Sequence, residues 1–399
     1  MVEMAGDSAA LPAKKPEDDA MKGRRTGRRR GALASAAFVM AALTGCGDFF
    51  VKPDNSGGGG TTSNNRVYVT NSLTSSSLAG FTIGTGTLTA VPNSPLTLDY
   101  APVDAVVTPD NTLLYVAGPG AIYVYTINSD GSLTASSAGA GVAIVNVASL
   151  AISPDGNWLF GLDRTSSQLD EFQINKSNGS LSSVAAVPYS VTSGVVVPKM
   201  VRVSPAGNLV FAALGTGGDI VFTLNTTTGA VVSSQQLSLG SSTTSDNALA
   251  INSAGTYLYI ARSGDNGGVA VYTIGSSGAL ISITGSPFAA GQQPNAVVLD
   301  STGKYVYVSN GNDGNISGYS IGTNSALTAL TGSPYASGTQ VNSLGADKSG
   351  TYVLAGAFGG GPDLSMYSID ATVAGKLNPV TSTASGTDPA GVTAIALTH

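Results

Sequence analysis

The sequence has little of what most enzymes use for acid–base or metal chemistry. Its 399 residues include one cysteine, Cys46, and one histidine, His399. A single cysteine excludes an intrachain disulfide, and no cluster has the spacing of a zinc site. A lone histidine at position 399, where we expect disorder, leaves no Ser-His-Asp or Cys-His arrangement inside a folded body.

Charged residues are also scarce, at 11% of the chain, and they are unevenly distributed. The first 45 residues hold eight of the 18 basic and five of the 24 acidic residues, which leaves 10 basic and 19 acidic residues beyond them. An acidic body without a basic stripe excludes nucleic acid as a partner. The 42% of hydrophobic residues and the 52 glycines are typical of short buried strands joined by tight turns, so we predict an all-β fold.

Two loop segments contain many oxygen ligands and therefore need a separate interpretation. Residues 263–268 and 310–315 are rich in Asp, Asn and Gly, but neither has the residue order or the final glutamate of an EF-hand loop. We interpret both segments as hairpin turns. The sequence therefore predicts no metal site and no cofactor.

The N-terminal region predicts export and a lipid anchor. A basic stretch from Lys22 to Arg30 precedes an apolar run over 31–43, which is shorter than the roughly 20 residues that cross a bilayer. The next residues, Leu43-Thr44-Gly45-Cys46, resemble a bacterial lipobox, in which the cysteine is lipidated. We expect a signal peptide with an upstream start extension in 1–45, the lipidated Cys46 and a flexible linker in 46–65, and a folded domain in 66–399. The protein would then be a lipoprotein on the periplasmic or cell-surface side of a bacterial envelope.

One unit repeats seven times after residue 65, at a spacing of roughly 45 to 51 residues. Each copy contains a strand, a turn of the Ser-Pro-Asp-Gly type, an aromatic strand, a strand ending in Tyr-x-Ile or a relative, and Gly-x-Leu. Four strands per copy is the pattern of a propeller blade. The seven second strands are 67–69, 114–116, 159–161, 210–212, 258–260, 306–308 and 353–355.

The first repeat lacks an inner strand, because it begins directly with its second strand at Arg66. Residues 389–397 match the inner-strand pattern and supply the missing strand. The sequence therefore predicts a seven-bladed β-propeller whose C-terminal strand pairs into blade one. Such pairing leaves no open edge in the ring.

The segment Val67-Tyr68-Val69-Thr70-Asn71 and the repeat as a whole resemble the YVTN-type, lactonase-like family of bacterial seven-bladed propellers. The resemblance spans residues 66–397. It implies relatives that include 6-phosphogluconolactonase-like and muconate-cycloisomerase-like enzymes, whose chemistry is associated with His, Glu and Arg near the channel mouth. This chain departs from that pattern, because its one glutamate beyond Cys46 is Glu171, on a third strand away from the channel. No catalytic residue can be carried over.

Propeller geometry places the beginnings of inner strands and the ends of second strands at one channel mouth. The ligand-binding candidates at these positions are Asp104, Lys199 and Asn295 on entering strands, and Asp163, Arg164, Arg262 and Asn310 on leaving strands. We predict that the three cationic residues and neighbouring asparagines hold a small carboxylate or a sugar-like ligand. The alternative is that these residues are solvated loop positions.

Two functions stay open at this stage. The scarcity of acid–base residues favours a monomeric, non-catalytic envelope protein that presents its loops to a protein, a glycan or a small anionic ligand. The alternative is a lactone-acting hydrolase that retains the activity of the family it resembles. Fold alone does not decide between them, since one fold supports many functions.

Overall fold

The computed structural model describes residues 65–73, 75–360, 362–383 and 391–399. The predicted signal peptide, Cys46 and the linker up to residue 64 lie outside the described residues, so export and lipidation stay predictions. Within the described ranges, no helix is both long enough and apolar enough to cross a membrane.

Strands of the described residues form seven antiparallel sheets, which are the seven predicted blades. Blade one contains β1 (Arg66–Asn71), β2 (Ser77–Gly84), β3 (Thr87–Ala90), β4 (Leu96–Thr97) and β30 (Val392–Leu397). Blade two contains β5 (Asp104–Val107), β6 (Leu113–Gly118), β7 (Ala121–Ile127) and β8 (Leu133–Ala135), and blade three contains β9 (Val147–Ile152), β10 (Trp158–Asp163), β11 (Gln168–Ile174) and β12 (Leu181–Pro188). Blade four contains β13 (Met200–Val203), β14 (Leu209–Ala213), β15 (Asp219–Leu224) and β16 (Val231–Leu237).

The remaining three blades continue the same order from the channel outwards. Blade five contains β17 (Ser245–Ile251), β18 (Tyr257–Ser263), β19 (Gly268–Ile274) and β20 (Leu280–Ser282). Blade six contains β21 (Pro294–Leu299), β22 (Tyr305–Asn310), β23 (Asn315–Ile321), β24 (Leu327–Ala329) and β25 (Tyr335–Ala336). Blade seven contains β26 (Thr339–Ala346), β27 (Tyr352–Gly360), β28 (Leu364–Ile369) and β29 (Leu377–Thr383). Short 3-10 helices cover Ser136–Gly139 and Thr323–Ser325.

Blade one is completed by the C-terminal strand, as predicted. Strand β30 pairs antiparallel with β1, and Val69 lies opposite Ile395. The backbone N–H of Thr398 donates to the Arg66 carbonyl over 3.0 Å, which extends the pairing past the end of the strand. Sheet pairing thus closes the ring without a covalent clasp.

The turn between first and second strands explains the repeated Ser-Pro-Asp-Gly pattern. In blade three, the Ser153 hydroxyl donates to the Asp155 carboxylate over 2.5 Å and accepts from the backbone N–H of Trp158 over 2.9 Å. Gly156 has a φ of 69°, a conformation that glycine adopts without steric cost. Asp155 therefore stabilises a turn and is not part of a binding site.

Tyrosines of the second strands join neighbouring blades. The Tyr115 hydroxyl in blade two donates to the Gly179 carbonyl of blade three over 2.9 Å, and Tyr68 and Tyr307 make the equivalent bond at two other junctions. All three side chains are fully buried. Each tyrosine therefore buries its aromatic ring while its hydroxyl makes a hydrogen bond. That hydrogen bond holds adjacent blades in register.

The junction between blades three and four departs from this arrangement. Phe160 of blade three stands at the position that Tyr115 occupies in blade two, and Glu171 of β11 lies directly opposite it in the sheet. Glu171 is completely buried, and neither carboxylate oxygen has a hydrogen-bond partner among the described residues. Burial raises the pKa of its carboxyl to about 7. Glu171 is remote from the channel, as expected, and belongs to the packing between blades.

Candidate functional site

A polar cavity lies at the channel mouth where the inner strands begin. Its volume is about 180 Å³, and residues of all seven inner strands or their entering segments line it. We call it the upper chamber. Its polar lining consists of Asp104, Ser149, Lys199, Arg202, Asn247, Asn295, Asn342, Ser343 and Thr393.

The Asp104 carboxylate is the acidic group of the upper chamber. It begins β5, and its two oxygens accept the backbone N–H groups of Ala105 and Leu150, each over 2.8 Å. Burial raises the pKa of this carboxyl, while the positive charge of Arg202 and the hydrogen bonds oppose that rise. Because Leu150 belongs to blade three, Asp104 also ties blade two to its neighbour.

Arg202 is the functional candidate that the sequence analysis missed. It lies in the middle of β13, opposite Phe211 of β14. Burial lowers the pKa of its guanidinium, and the negative charge of Asp104 opposes the shift. In the other blades the equivalent residues are small and apolar, namely Ala396, Val106, Ala151, Ala250, Val298 and Gly345. An alignment of the seven repeats on their second strands would have shown Arg202 at a position where the other six repeats have a small apolar residue.

Side chains around the channel also join neighbouring inner strands. The Asn247 amide donates to the Pro294 carbonyl over 2.8 Å, and the Asn342 amide donates to the Val392 carbonyl over 3.0 Å. These bonds hold the asparagines in fixed orientations. The chamber is therefore a preorganised polar surface rather than a set of mobile loop residues.

Of the seven predicted ligand-binding residues, the upper chamber brings together Asp104, Lys199 and Asn295. The other four do not line this chamber. Arg164 is exposed, and the Asp163 carboxylate accepts the backbone N–H groups of Thr165 and Ser166 over 2.6 and 2.5 Å. Asp163 is therefore engaged in a local turn.

Arg262 lies in a buried charge cluster between blades four and five. Its Nε and Nη2 donate to the two oxygens of Asp246 over 2.6 and 2.7 Å, and Nη2 also donates to the Tyr272 hydroxyl over 3.1 Å. Burial alone would lower the pKa of Arg262, but the hydrogen bonds and charge of Asp246 raise it overall. Burial raises the pKa of the adjacent Asp219, and the negative charge of Asp246 raises it further.

Asn310 is likewise satisfied within its own blade. Its amide donates to Asn315 Oδ1 over 2.7 Å and to the Ser317 hydroxyl over 2.8 Å, and its oxygen accepts the backbone N–H of Gly291 over 3.0 Å. The segments 263–268 and 310–315 connect adjacent antiparallel strands, which confirms them as hairpin turns. Among the described residues, no three His, Cys, Asp or Glu side chains are grouped closely enough to hold a metal ion.

The lone histidine lies at the opposite mouth of the channel. Contrary to expectation, His399 is held in place, since its backbone N–H donates to Asn111 Oδ1 over 2.7 Å. Its ring Nε2 lies 3.2 Å from the Val107 carbonyl oxygen. The position excludes His399 from the upper chamber, because β5 separates Asp104 from Val107 along its whole length.

Solved structures of similar fold carry lactonase names. A protein of Bacteroides fragilis, named provisionally as a 6-phosphogluconolactonase, matches with a TM-score of 0.67 and 16% identity over 86% of this chain and 100% of that chain. The periplasmic gluconolactonase of Pseudomonas aeruginosa matches with a TM-score of 0.63 and 15% identity over 84% of this chain and 99% of that chain. At these identities the likeness shows the fold alone. No curated protein sequence matches the chain.

A family model described as "Lactonase, 7-bladed beta-propeller" matches the sequence itself. It matches in three overlapping segments, residues 139–245, 220–343 and 253–394, which together span more than half of the chain. The repeat pattern and the closed ring agree with this assignment. The chain belongs to the lactonase family of seven-bladed β-propellers.

Proposed function

We propose that the protein binds a small lactone in the upper chamber and hydrolyses it to the hydroxy acid. The observation that carries the proposal is the convergence of one carboxylate, two cationic side chains and three amides on one cavity. Amide groups suit the hydroxyls and ring oxygens of a sugar-like lactone, and cationic groups suit a carbonyl oxygen that becomes negative. Family membership supports the same reaction class.

The residues of the chamber suffice for a balanced reaction. Asp104 accepts a proton from water as the water oxygen attacks the lactone carbonyl carbon. Lys199 and Arg202 stabilise the negative charge that develops on the carbonyl oxygen. When the bond between the acyl carbon and the ring oxygen breaks, Asp104 returns the proton to that oxygen, and the new carboxylic acid releases its own proton to solvent.

The size of the chamber limits the substrate. Sites for drug-sized ligands measure roughly 300–1,000 Å³. A cavity of about 180 Å³ therefore selects a single small ring rather than an oligosaccharide. δ-Gluconolactone is the natural first probe, because its hydroxyls match the amides of Asn247, Asn295 and Asn342.

The non-catalytic binding function favoured by the missing histidine has less support than hydrolysis. That expectation rested on the absence of an acid–base residue from the channel. Asp104 now supplies a buried carboxyl of raised pKa beside two cations, which is a common feature of catalytic sites. Structural neighbours named for gluconolactone chemistry support the same choice.

Acid release from δ-gluconolactone, followed at constant pH against a protein-free blank, tests the proposal. Asp104→Asn is expected to lower kcat by roughly 10²- to 10⁴-fold, because it removes the proton acceptor. Lys199→Met is expected to lower kcat/KM by about tenfold or more, because it removes a charged partner. Lys304→Met, on an exposed turn, is the control and keeps the wild-type rate.

Thermal unfolding of each variant separates lost chemistry from lost folding. If Asp104→Asn does not fold, the Lys199→Met variant decides the matter, since Asp104 rather than Lys199 makes the hydrogen bond that joins blades two and three. Turnover equal to the blank across γ- and δ-lactones would overturn the proposal. So would a folded Asp104→Asn protein with full activity.

We further propose that the enzyme works as an exported monomer anchored through Cys46. The basic and apolar pattern of residues 22–43 and the lipobox-like Leu43-Thr44-Gly45-Cys46 support this location. The test combines palmitate labelling with membrane fractionation. The wild-type chain is expected to incorporate palmitate and to fractionate with membranes, and Cys46→Ser is expected to lose the label. An unlabelled wild-type protein would contradict the anchor without affecting the hydrolase proposal.

A further inference from the structure

The channel contains a second cavity on the other side of Arg202. Its volume is about 250 Å³, and it is lined by the second halves of the inner strands of blades one to four. We call it the lower chamber. Its lining side chains are Ala105, Val106, Val107, Leu150, Ala151, Ile152, Arg202, Val203, Ile395, Ala396, Leu397 and His399.

The two chambers differ sharply in chemistry. Asparagines, Lys199 and Asp104 line the upper one, whereas the lower one is walled by aliphatic side chains apart from Arg202 and His399. Three residues, Ala105, Arg202 and Ile395, line both chambers and form the partition between them. A ligand in the lower chamber therefore meets an apolar wall along its length and a guanidinium at its inner end.

The Arg202 guanidinium retains donors for such a ligand. One Nη1 bond goes to the Val201 carbonyl over 2.9 Å. Asp104 and Arg202 do not form an ion pair within 4.0 Å, so the guanidinium is not held by that carboxylate. Guanidinium groups bind carboxylates through two parallel N–H donors, and the remaining nitrogens can make that contact.

The size of the lower chamber sets the length of the ligand. An apolar cavity of about 150 Å³ in a protein core accommodates benzene. A chamber of about 250 Å³ therefore accommodates a chain of several carbons as well as a carboxylate. His399, exposed at the outer rim, marks the end that opens to solvent.

We propose that the lower chamber is a second binding site, which adjoins the lactone site and shares Arg202 with it, for a short aliphatic monocarboxylate of about four to six carbons. Its carboxylate pairs with Arg202, and its alkyl chain lies against Val106, Val107, Ile152 and Leu397. The charge of the ligand and the length of its chain both contribute to affinity, because one end of the chamber is cationic and the walls are apolar.

Calorimetric titration of the full chain tests this site without any lactone. The ligands are sodium acetate, sodium butyrate, sodium hexanoate and hexanol. Affinity is expected to increase by up to about fourfold for each added methylene from acetate to hexanoate, as burial of a CH₂ group predicts. Hexanol, which lacks the charge, is expected to bind at least tenfold more weakly than hexanoate. Arg202→Met is expected to weaken hexanoate by 10- to 100-fold, while Lys304→Met is unchanged.

Methyl NMR locates the ligand and remains decisive if Arg202→Met does not fold. Hexanoate is expected to shift the methyl signals of Val107, Ile152 and Leu397, and to leave that of Thr393 in the upper chamber unchanged. Arg202→Lys, which keeps the charge but not the paired donors, is expected to bind with intermediate affinity. Three results would overturn the proposal: equal affinity for acetate and hexanoate, methyl shifts centred on Thr393, or no binding of hexanoate at about 50 mM. That concentration is about the upper limit of a useful titration.

Discussion

Asp104 and Arg202 face the same channel from blades two and four, and each favours the ionised form of the other across more than 4.0 Å. Burial acts against both charges, so neither group would be as easily ionised alone. Asp104 reaches the upper chamber only, whereas Arg202 reaches both chambers. The pair therefore links the electrostatics of the proposed lactone site to the cavity below it.

The first prediction concerns the pH dependence of turnover. Arg202→Met removes the positive charge that lowers the pKa of Asp104, so that pKa must rise. The acidic limb of the profile of kcat/KM against pH is then expected to move to higher pH. Lys304→Met is the control and keeps the wild-type profile. A folded Arg202→Met enzyme with an unmoved limb would show that Asp104 is not the titrating base.

The second prediction concerns the loss of stability as the pH rises from acidic to neutral. Burial raises the pKa of Glu171 from its ordinary value of 4.5 to about 7, so the folded state resists ionisation that the unfolded state allows. The free energy of unfolding is therefore expected to fall between about pH 4.5 and pH 7, by at most about 3 kcal/mol from this residue. Asp170, whose pKa burial raises to about 6, acts in the same direction.

Glu171→Gln isolates the contribution of that carboxyl. The variant is expected to be more stable than the wild type at pH 8 and to show a flatter dependence of stability on pH, measured by urea unfolding. Asp170 remains in the variant, so part of the slope persists. A variant whose pH dependence matches the wild type would contradict the buried acidic state of Glu171.

The third prediction concerns the charge cluster between blades four and five. Arg262→Met leaves the Asp246 carboxylate buried without its cation, and loss of one partner of a buried pair costs about 3–5 kcal/mol. Asp219→Asn is the matched control, because the amide has nearly the shape of the carboxyl and places no charge next to Asp246. It is expected to change the free energy of unfolding by less than about 1 kcal/mol. Equal effects of the two substitutions would show that Arg262 does not balance a charge there.

The fourth prediction concerns the tyrosines that join the blades. Tyr115→Phe removes a buried hydrogen bond to the Gly179 carbonyl and is expected to lower the free energy of unfolding by about 1–2 kcal/mol. Tyr123→Phe, on a half-buried ring stacked on Tyr100, is the control and is expected to change it by less than about 0.5 kcal/mol. Denaturant unfolding measures both. If Tyr115→Phe lowers the free energy of unfolding no more than the control does, ring packing alone stabilises the junction between the blades.

Much of the architecture could be predicted because it is local and repeated. The turn around Asp155, the aromatic second strands and the inner-strand pattern near the C-terminus each depend on residues a few positions apart. Position in the repeat also placed Asp104 and Lys199 at the channel mouth. These features follow from backbone geometry that every blade shares.

The fate of Arg262 could not be predicted in the same way. Its position at the end of β18 resembles that of a channel residue, but its charge is satisfied by Asp246 of β17 and influenced by Asp219 of the neighbouring blade. Such pairings depend on how two blades pack, which no spacing within one repeat encodes. Arg202 was missed for the opposite reason, since a mid-strand position is usually occupied by a packing residue.

The closure of blade one also determines when the protein can finish folding. The Arg66 backbone N–H donates to the Thr398 hydroxyl across a sequence separation of 332 residues. Contacts of such long range form slowly, because the loop that joins them must close at a large cost in chain entropy. Until that step, the edge of β1 stays unpaired and open to other chains. Before ring closure, β1 is therefore a strand edge at which this propeller can associate with other chains.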